Sequence, residues 1–155
     1  MKVSALLLAF AALLLASCSS VWTQRNPHVD LDRLTHFYVE RRLADNRKVD
    51  EAIVAELRSR GFEAASGPLT MMPDNAQAIV SYHDEWAWDF RYYLMELSVS
   101  IRSAHRQQTL ANGIYRQPTP ISKSPAQVIR TIFDQILAAP EISALPPAPA
   151  STPPR

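Results

Sequence analysis

From Tyr93 to Arg102 the chain alternates without a break. Tyr93, Met95, Leu97, Val99 and Ile101 fall on one side of an extended strand, and Leu94, Glu96, Ser98, Ser100 and Arg102 fall on the other. A period of two is incompatible with a helix and specifies a strand with one buried and one wet face. The stretch from Ala76 to Trp86 reads the same way, with Ala78, Val80 and Tyr82 opposite Ile79, Ser81 and His83. After the polar turn at 104–107, residues 108–116 supply a third strand, in which Gly113 marks a bulge or a close backbone approach. Short connections make these three an antiparallel meander.

Two amphipathic helices accompany the strands. Asp45 or Asn46 is placed to cap the first, whose stripe includes Val49, Ala52, Ile53 and Leu57 before Gly61 supplies a left-handed stop. In the second, Ser124 caps and Pro125 occupies the first helical position, followed by Val128, Ile129, Ile132, Phe133, Ile136 and Leu137. A first strand is expected over Leu34–Glu40 and a short one at Phe62–Ala64, ahead of the loop SGPLTMMPDN. The order β-α-β-β-β-β-α with two one-sided helices predicts an α+β two-layer sandwich. Its sheet is expected to be mixed, mainly antiparallel and of 4–5 strands, with both helices on one face.

The ends of the chain carry different signals. Lys2 precedes an apolar run from Ala5 to Leu15 that is too short to span a bilayer comfortably, and small residues Ala16 and Ser17 follow. This is the layout of a secretory signal. Leu15-Ala16-Ser17-Cys18 resembles the lipobox of bacterial lipoproteins, in which the cysteine receives a diacylglycerol and becomes the first mature residue. Cys18 is the only cysteine, so lipidation accounts for an otherwise odd thiol in an exported chain, and no intrachain disulfide can form. The resemblance implies residues 1–17 as signal peptide and Cys18 as the lipidation site. Ser19 in place of Asp resembles the outer-membrane sorting class, which implies a lipid anchor on the periplasmic face of the outer membrane.

Beyond the leader, residues 18–30 read as a polar tether, 31–139 as a single α+β domain, and 140–155 as a Pro-rich disordered tail. Loss of Lys2 leaves the mature chain formally neutral, so there is no electrostatic case for nucleic acid. The lipobox, the helix ending at Leu57–Phe62, the strand AIVSYH, the pair LSVSIRSAHRQQTLANGIYR and the helix VIRTIFDQIL together resemble small outer-membrane lipoproteins of unknown function from Gram-negative bacteria. The resemblance covers residues 18–139 and implies location and fold.

Chemistry is sparse. The sequence has no G-x-S-x-G, no H-E-x-x-H and no phosphate loop among its three glycines. His83, Asp84, Glu85 and Asp89 are close in sequence, yet strand alternation sends Asp84 and Glu85 to opposite faces. No enzyme, metal or cofactor is expected, apart from the covalent lipid on Cys18. The run HDEWAWDFRYY is the densest polar-aromatic segment, and Trp86, Trp88 and Tyr92 are the candidate partner-binding residues. The expected partners are the membrane, through the anchor, and an envelope protein. The expected role is an assembly, stability or scaffolding factor. The alternative is a periplasmic carrier that holds a small apolar or glycan ligand between the helices and the sheet, near Tyr82, Tyr93 and Met95.

Overall fold

The computed structural model describes residues 19–106, 108–117 and 123–138. The signal segment 1–17, the lipidation site Cys18 and the tail 140–155 lie outside the described residues. Six strands form one open mixed sheet: β1 (Ser20–Arg25), β2 (His36–Glu40), β3 (Glu63–Gly67), β4 (Ala78–Asp89), β5 (Arg91–Ser103) and β6 (Thr109–Arg116). Helices α1 (Val49–Ser59) and α2 (Pro125–Leu137) pack on one of its faces. The strand order is β1-β6-β5-β4-β2-β3. The α+β class and the two one-sided helices match expectation.

The sheet itself is larger and more mixed than expected. The pairs β1·β6, β6·β5 and β5·β4 are antiparallel, whereas β4·β2 and β2·β3 are parallel. The parallel half arises because α1 carries the chain from the end of β2 back to the start of β3, as a crossover between parallel neighbours requires. The expected count of 4–5 strands fails at the N-terminus. There the predicted tether of 18–30 contributes β1, with Val21 turned to the core opposite Tyr115 and Trp22 turned outward opposite Ile114. One apolar residue per face is a weak signal, but an edge strand needs little more.

Alternation sorts the side chains as read. Leu97, Val99 and Ile101 on β5, Ala78, Val80 and Tyr82 on β4, and Ala111 and Tyr115 on β6 face the helices. A register shift between Glu85 and Trp86 puts Met95 out of step, so Leu94 rejoins the buried face. A second shift lies at Arg102, beside Leu110. Gly113 is therefore not a bulge residue. A Cβ there would come within 2.6 Å of Ile132 Cγ2 and 3.1 Å of Ile136 Cδ1, so its lack of a side chain lets α2 lie close on the sheet.

The start of α2 and the end of α1 are as their sequences say. Ser124 and Gln127 form a reciprocal capping box at the start of α2, with Ser124 Oγ accepting from the Gln127 amide at 3.3 Å. Gly61, at φ +89°, supplies the left-handed residue just after α1. The start of α1 differs from expectation, because its cap position is Lys48 in the left-handed region (φ 59°). Asp45 still does the capping work from three residues upstream, accepting from the Val49 and Asp50 amides at 2.8 and 3.2 Å.

Candidate functional site

Two features stand out from this frame. The first is the far end of the β4–β5 hairpin. The run HDEWAWDFRYY is not a linker between strands; it is paired almost throughout, from His83↔Ser98 to Asp89↔Arg91. Phe90 alone sits at the apex, with φ 55°, a region bulky residues rarely adopt. Trp86 and Trp88 continue the helix-facing alternation of β4, and Tyr92 lies opposite Trp88. Only the inner part of that stripe is covered by the protein.

Trp86 is partly buried, whereas Trp88 (64%), Tyr92 (60%) and Phe90 (96%) are exposed. Leu43, on the loop between β2 and α1, is also fully exposed. Of the three sequence-predicted residues, then, Trp88 and Tyr92 are exposed and Trp86 is partly buried beneath them. The Arg47 guanidinium lies 4.2 Å from the Trp86 ring centroid and 4.5 Å from that of Tyr92. Trp88 and Tyr92 meet at 4.9 Å with tilted planes. Trp86 Nε1 donates to Asp84 Oδ2 at 2.6 Å, and Arg42 Nη1 donates to Asp84 Oδ1 at 2.8 Å. These contacts hold the Trp86, Trp88 and Tyr92 rings against one another and against the loop.

The same loop is tied to the core by a second polar group. Tyr82 Oη donates to Asp45 Oδ2 at 2.6 Å, Arg41 Nε donates to Asp50 Oδ2 at 2.7 Å, and Ser66 Oγ donates to Asp50 Oδ2 at 2.8 Å. Burial pushes the Asp45 carboxyl upward, but the Tyr82 hydroxyl and the amides of Arg47, Asp50 and Val49 outweigh it and hold the group below the usual range. Asp50 is likewise raised by burial and, more strongly, lowered by Arg41 and Ser66. Burial first, then the hydrogen bond to Asp45 and after it the Asp45 charge, raise the Tyr82 phenol. The register shift between Glu85 and Trp86 puts Tyr82 and Tyr93 on opposite faces, and the Tyr82 hydroxyl is engaged by Asp45, so Tyr82, Tyr93 and Met95 do not line one common space.

The second feature is a trough on the uncovered face of the sheet, of about 360 Å³. Two cross-strand rows build it. Trp22, Ile114, Ser98 and His83 form one, and Gln24, Asn112, Ser100 and Ser81 the other. The β5 positions, Ser98 and Ser100, are small, while Trp22 and Gln24 flank them on β1, Ile114 and Asn112 on β6 and His83 on β4, so the side chains themselves make walls and floor. Sequence reading missed this site because its wall belongs to β1. The signal was the wet-face series Ser81, Ser98 and Ser100, whose side chains are too short to fill the space above a sheet.

Several other titratable groups are paired locally. His83 Nε2 lies 3.7 Å from Glu85, His36 Nε2 lies 3.0 Å from Glu63, and Asp84 is bound by Arg42. Among the described residues, no three of His, Cys, Asp and Glu gather in a metal-binding group. Nor is any described helix long and apolar enough to cross a membrane.

No family model matches the chain. A search of curated proteins also finds no match. Solved structures do share the fold. The PelC dodecamer from Paraburkholderia phytofirmans is similar at 12% identity with a TM-score of 0.59, covering 79% of this chain and 100% of that one. A point variant of that protein, also a dodecamer, gives 13% identity and a TM-score of 0.59 over 77% and 99% of the two chains. A minor lipoprotein from Acinetobacter baumannii aligns at 11% identity over 65% and 85% of the chains, with a TM-score of 0.26 that supports no argument here. At such identities the PelC likeness establishes the fold alone.

Proposed function

We propose that the chain is a lipid-anchored envelope protein of the outer membrane, without catalysis of its own, that acts as a scaffolding or assembly factor. Its lipid is carried on Cys18, and the component it holds is an envelope glycan seated in the open-face trough. The observation that carries this reading is the pair of rows across β1, β6, β5 and β4. They set an indole wall at Trp22 beside hydroxyl and amide groups at Ser81, Ser98, Ser100, Asn112 and Gln24. A sugar ring presents an apolar C–H face to an indole and hydroxyls to Ser, Asn and Gln, so one wall and one floor serve both kinds of surface.

PelC, which shares the fold, is a dodecamer. Self-assembly carried over to this chain would place many troughs side by side, as a scaffold for a repeating polymer requires. The second reading is a carrier of a free small ligand, and the volume favours it. A space of 360 Å³ falls in the range of roughly 300–1,000 Å³ typical of small-molecule sites.

Binding is to be measured by perturbation of the Trp22 indole signal in nuclear magnetic resonance spectra, with soluble peptidoglycan fragments and with monosaccharides as separate probes. Oligomeric fragments perturbing Trp22, with the effect abolished in Ser98→Leu/Ser100→Leu, support the scaffold. Perturbation by monosaccharides alone supports the carrier. No perturbation by either sinks both readings. Native mass of the detergent-solubilised protein reports assembly separately.

A further inference from the structure

The strand directions place the exposed hairpin at a particular end of the molecule. Ser20 pairs with Arg116, Arg116 with Glu96, and Glu96 with Glu85, so these four residues form one row across β1, β6, β5 and β4. β1 starts at this row, and the chain enters the domain there. From the same row β4 and β5 run on through Trp86↔Leu94, Ala87↔Tyr93, Trp88↔Tyr92 and Asp89↔Arg91. Four further residues of strand project about 13 Å beyond the row. Cys18 lies two residues before Ser20, so at most about 7 Å of chain separates it from the row.

We propose that the β4–β5 tip is a second membrane contact: Phe90, Trp88 and Tyr92 seat in the interfacial layer of the bilayer that the Cys18 lipid occupies. The proposal goes beyond the function given above and rests only on its lipid anchor. With the lipid in the bilayer, the row at Ser20 lies within about 7 Å of the membrane surface, whereas the tip reaches about 13 Å past that row. The tip therefore arrives at headgroup depth whenever the hairpin stands toward the membrane. Its composition suits that depth, because Trp and Tyr favour the membrane–water boundary and Phe adds apolar area at the apex.

The construction of the tip supports the same conclusion. A bulky residue, Phe90, is held at φ 55° while 96% exposed, a strained and solvent-wetted arrangement that burial in the protein does not repay. Arg47 braces Trp86 and Tyr92 from the loop that also carries exposed Leu43. Two contacts at one end, lipid and hairpin, would fix the tilt of the domain and hold the trough beside the membrane surface. A single point of attachment would not by itself fix that tilt.

The test uses the full lipidated protein in phosphatidylcholine/phosphatidylglycerol vesicles containing brominated phospholipids, which quench nearby indoles. The expected result is quenching of Trp emission that falls in Trp88→Phe, down to what Trp22 and Trp86 contribute, and that falls also in Phe90→Ser, where Trp88 remains as reporter. Quenching equal in wild type and Trp88→Phe, in a chain whose mass shows the lipid on Cys18, overturns the tip contact. If instead a photocrosslinker at position 90 captures one stoichiometric envelope protein in cells and Trp88 is unquenched, the tip is a protein-binding site and the proposal fails. Absence of the lipid mass on Cys18 defeats the anchor itself, a result separable from the quenching at Trp88.

Discussion

The two helices cover the same face of one sheet, yet different forces fix them there. α2 rests on burial: Val128, Ile129, Ile132 and Phe133 have no exposed surface, and its N-terminus is closed by its own Ser124 and Gln127. α1 also buries Val49, Ile53 and Leu57, but its entry is held from elsewhere in the chain. Asp45 reaches forward to the helix and across to Tyr82, Asp50 takes Arg41 and Ser66, and Lys48 sits in the left-handed region. A helix held by its own sequence can be read from that sequence. A helix held by a network of distant residues anchors a loop as well as itself, and here that loop carries Arg47 to the aromatic tip.

This contrast can be broken by mutation. The largest effect is expected from Phe133→Ala, which empties the centre of the α2 contact and should cost about 3–5 kcal/mol in urea unfolding. A loss under about 1 kcal/mol would mean that α2 does not rest on burial. Asp45→Ala removes the acceptor for the Tyr82 hydroxyl and two helix amides, and should cost about 1–3 kcal/mol. It should also raise the exposure of Trp86 and Tyr92, visible as a red shift in Trp emission, because Arg47 loses the Asp45 Oδ1 bond to its amide.

Acid should separate the helices without any substitution. Asp45 and Asp50 have folded-state pKa values held below their unfolded ones, so the stability they confer is present above the unfolded carboxylate range and is lost as pH falls through their folded values. Amide exchange in the first turn of α1 is expected to accelerate through that window, while the first turn of α2, capped by neutral Ser124 and Gln127, stays protected. Equal acceleration in both would abolish the distinction. Smaller again, Ser124→Ala should cost about 1 kcal/mol by loss of its cap bond. Lys48→Gly should change stability least and in the opposite direction, a gain of roughly 0.5 kcal/mol as left-handed strain is relieved against greater unfolded-state freedom.

What could be read from the sequence follows the same division. The meander β4-β5-β6 was legible because its alternation is local and its connections are short, and α2 because Ser124, Pro125 and the apolar stripe agree. β1 was missed because an edge strand with only Val21 turned to the core has the composition of a tether. The parallel half was legible only as a mixed sheet, without its extent or partners, because pairing between β2, β3 and β4 depends on residues far apart in the chain. Likewise Trp88 and Tyr92 were legible as candidates, but Arg47 was not, since no spacing connects it to Trp86. The trough was hidden because it is made of what the serines leave empty.

β1 also sets an order of events. Among the described residues its only partner strand is β6, at the other end of the sheet's chain order, so the first strand to be synthesised is among the last to find its neighbour. Until residues 109–116 exist and have folded onto β5, Ser20–Arg25 is a bare strand with Trp22 unsheltered, open to mispairing. A carrier that shields the nascent N-terminal segment would protect the one element that finishes both the sheet and the wall of the trough. Completion of the domain and completion of its binding surface are thus a single late step.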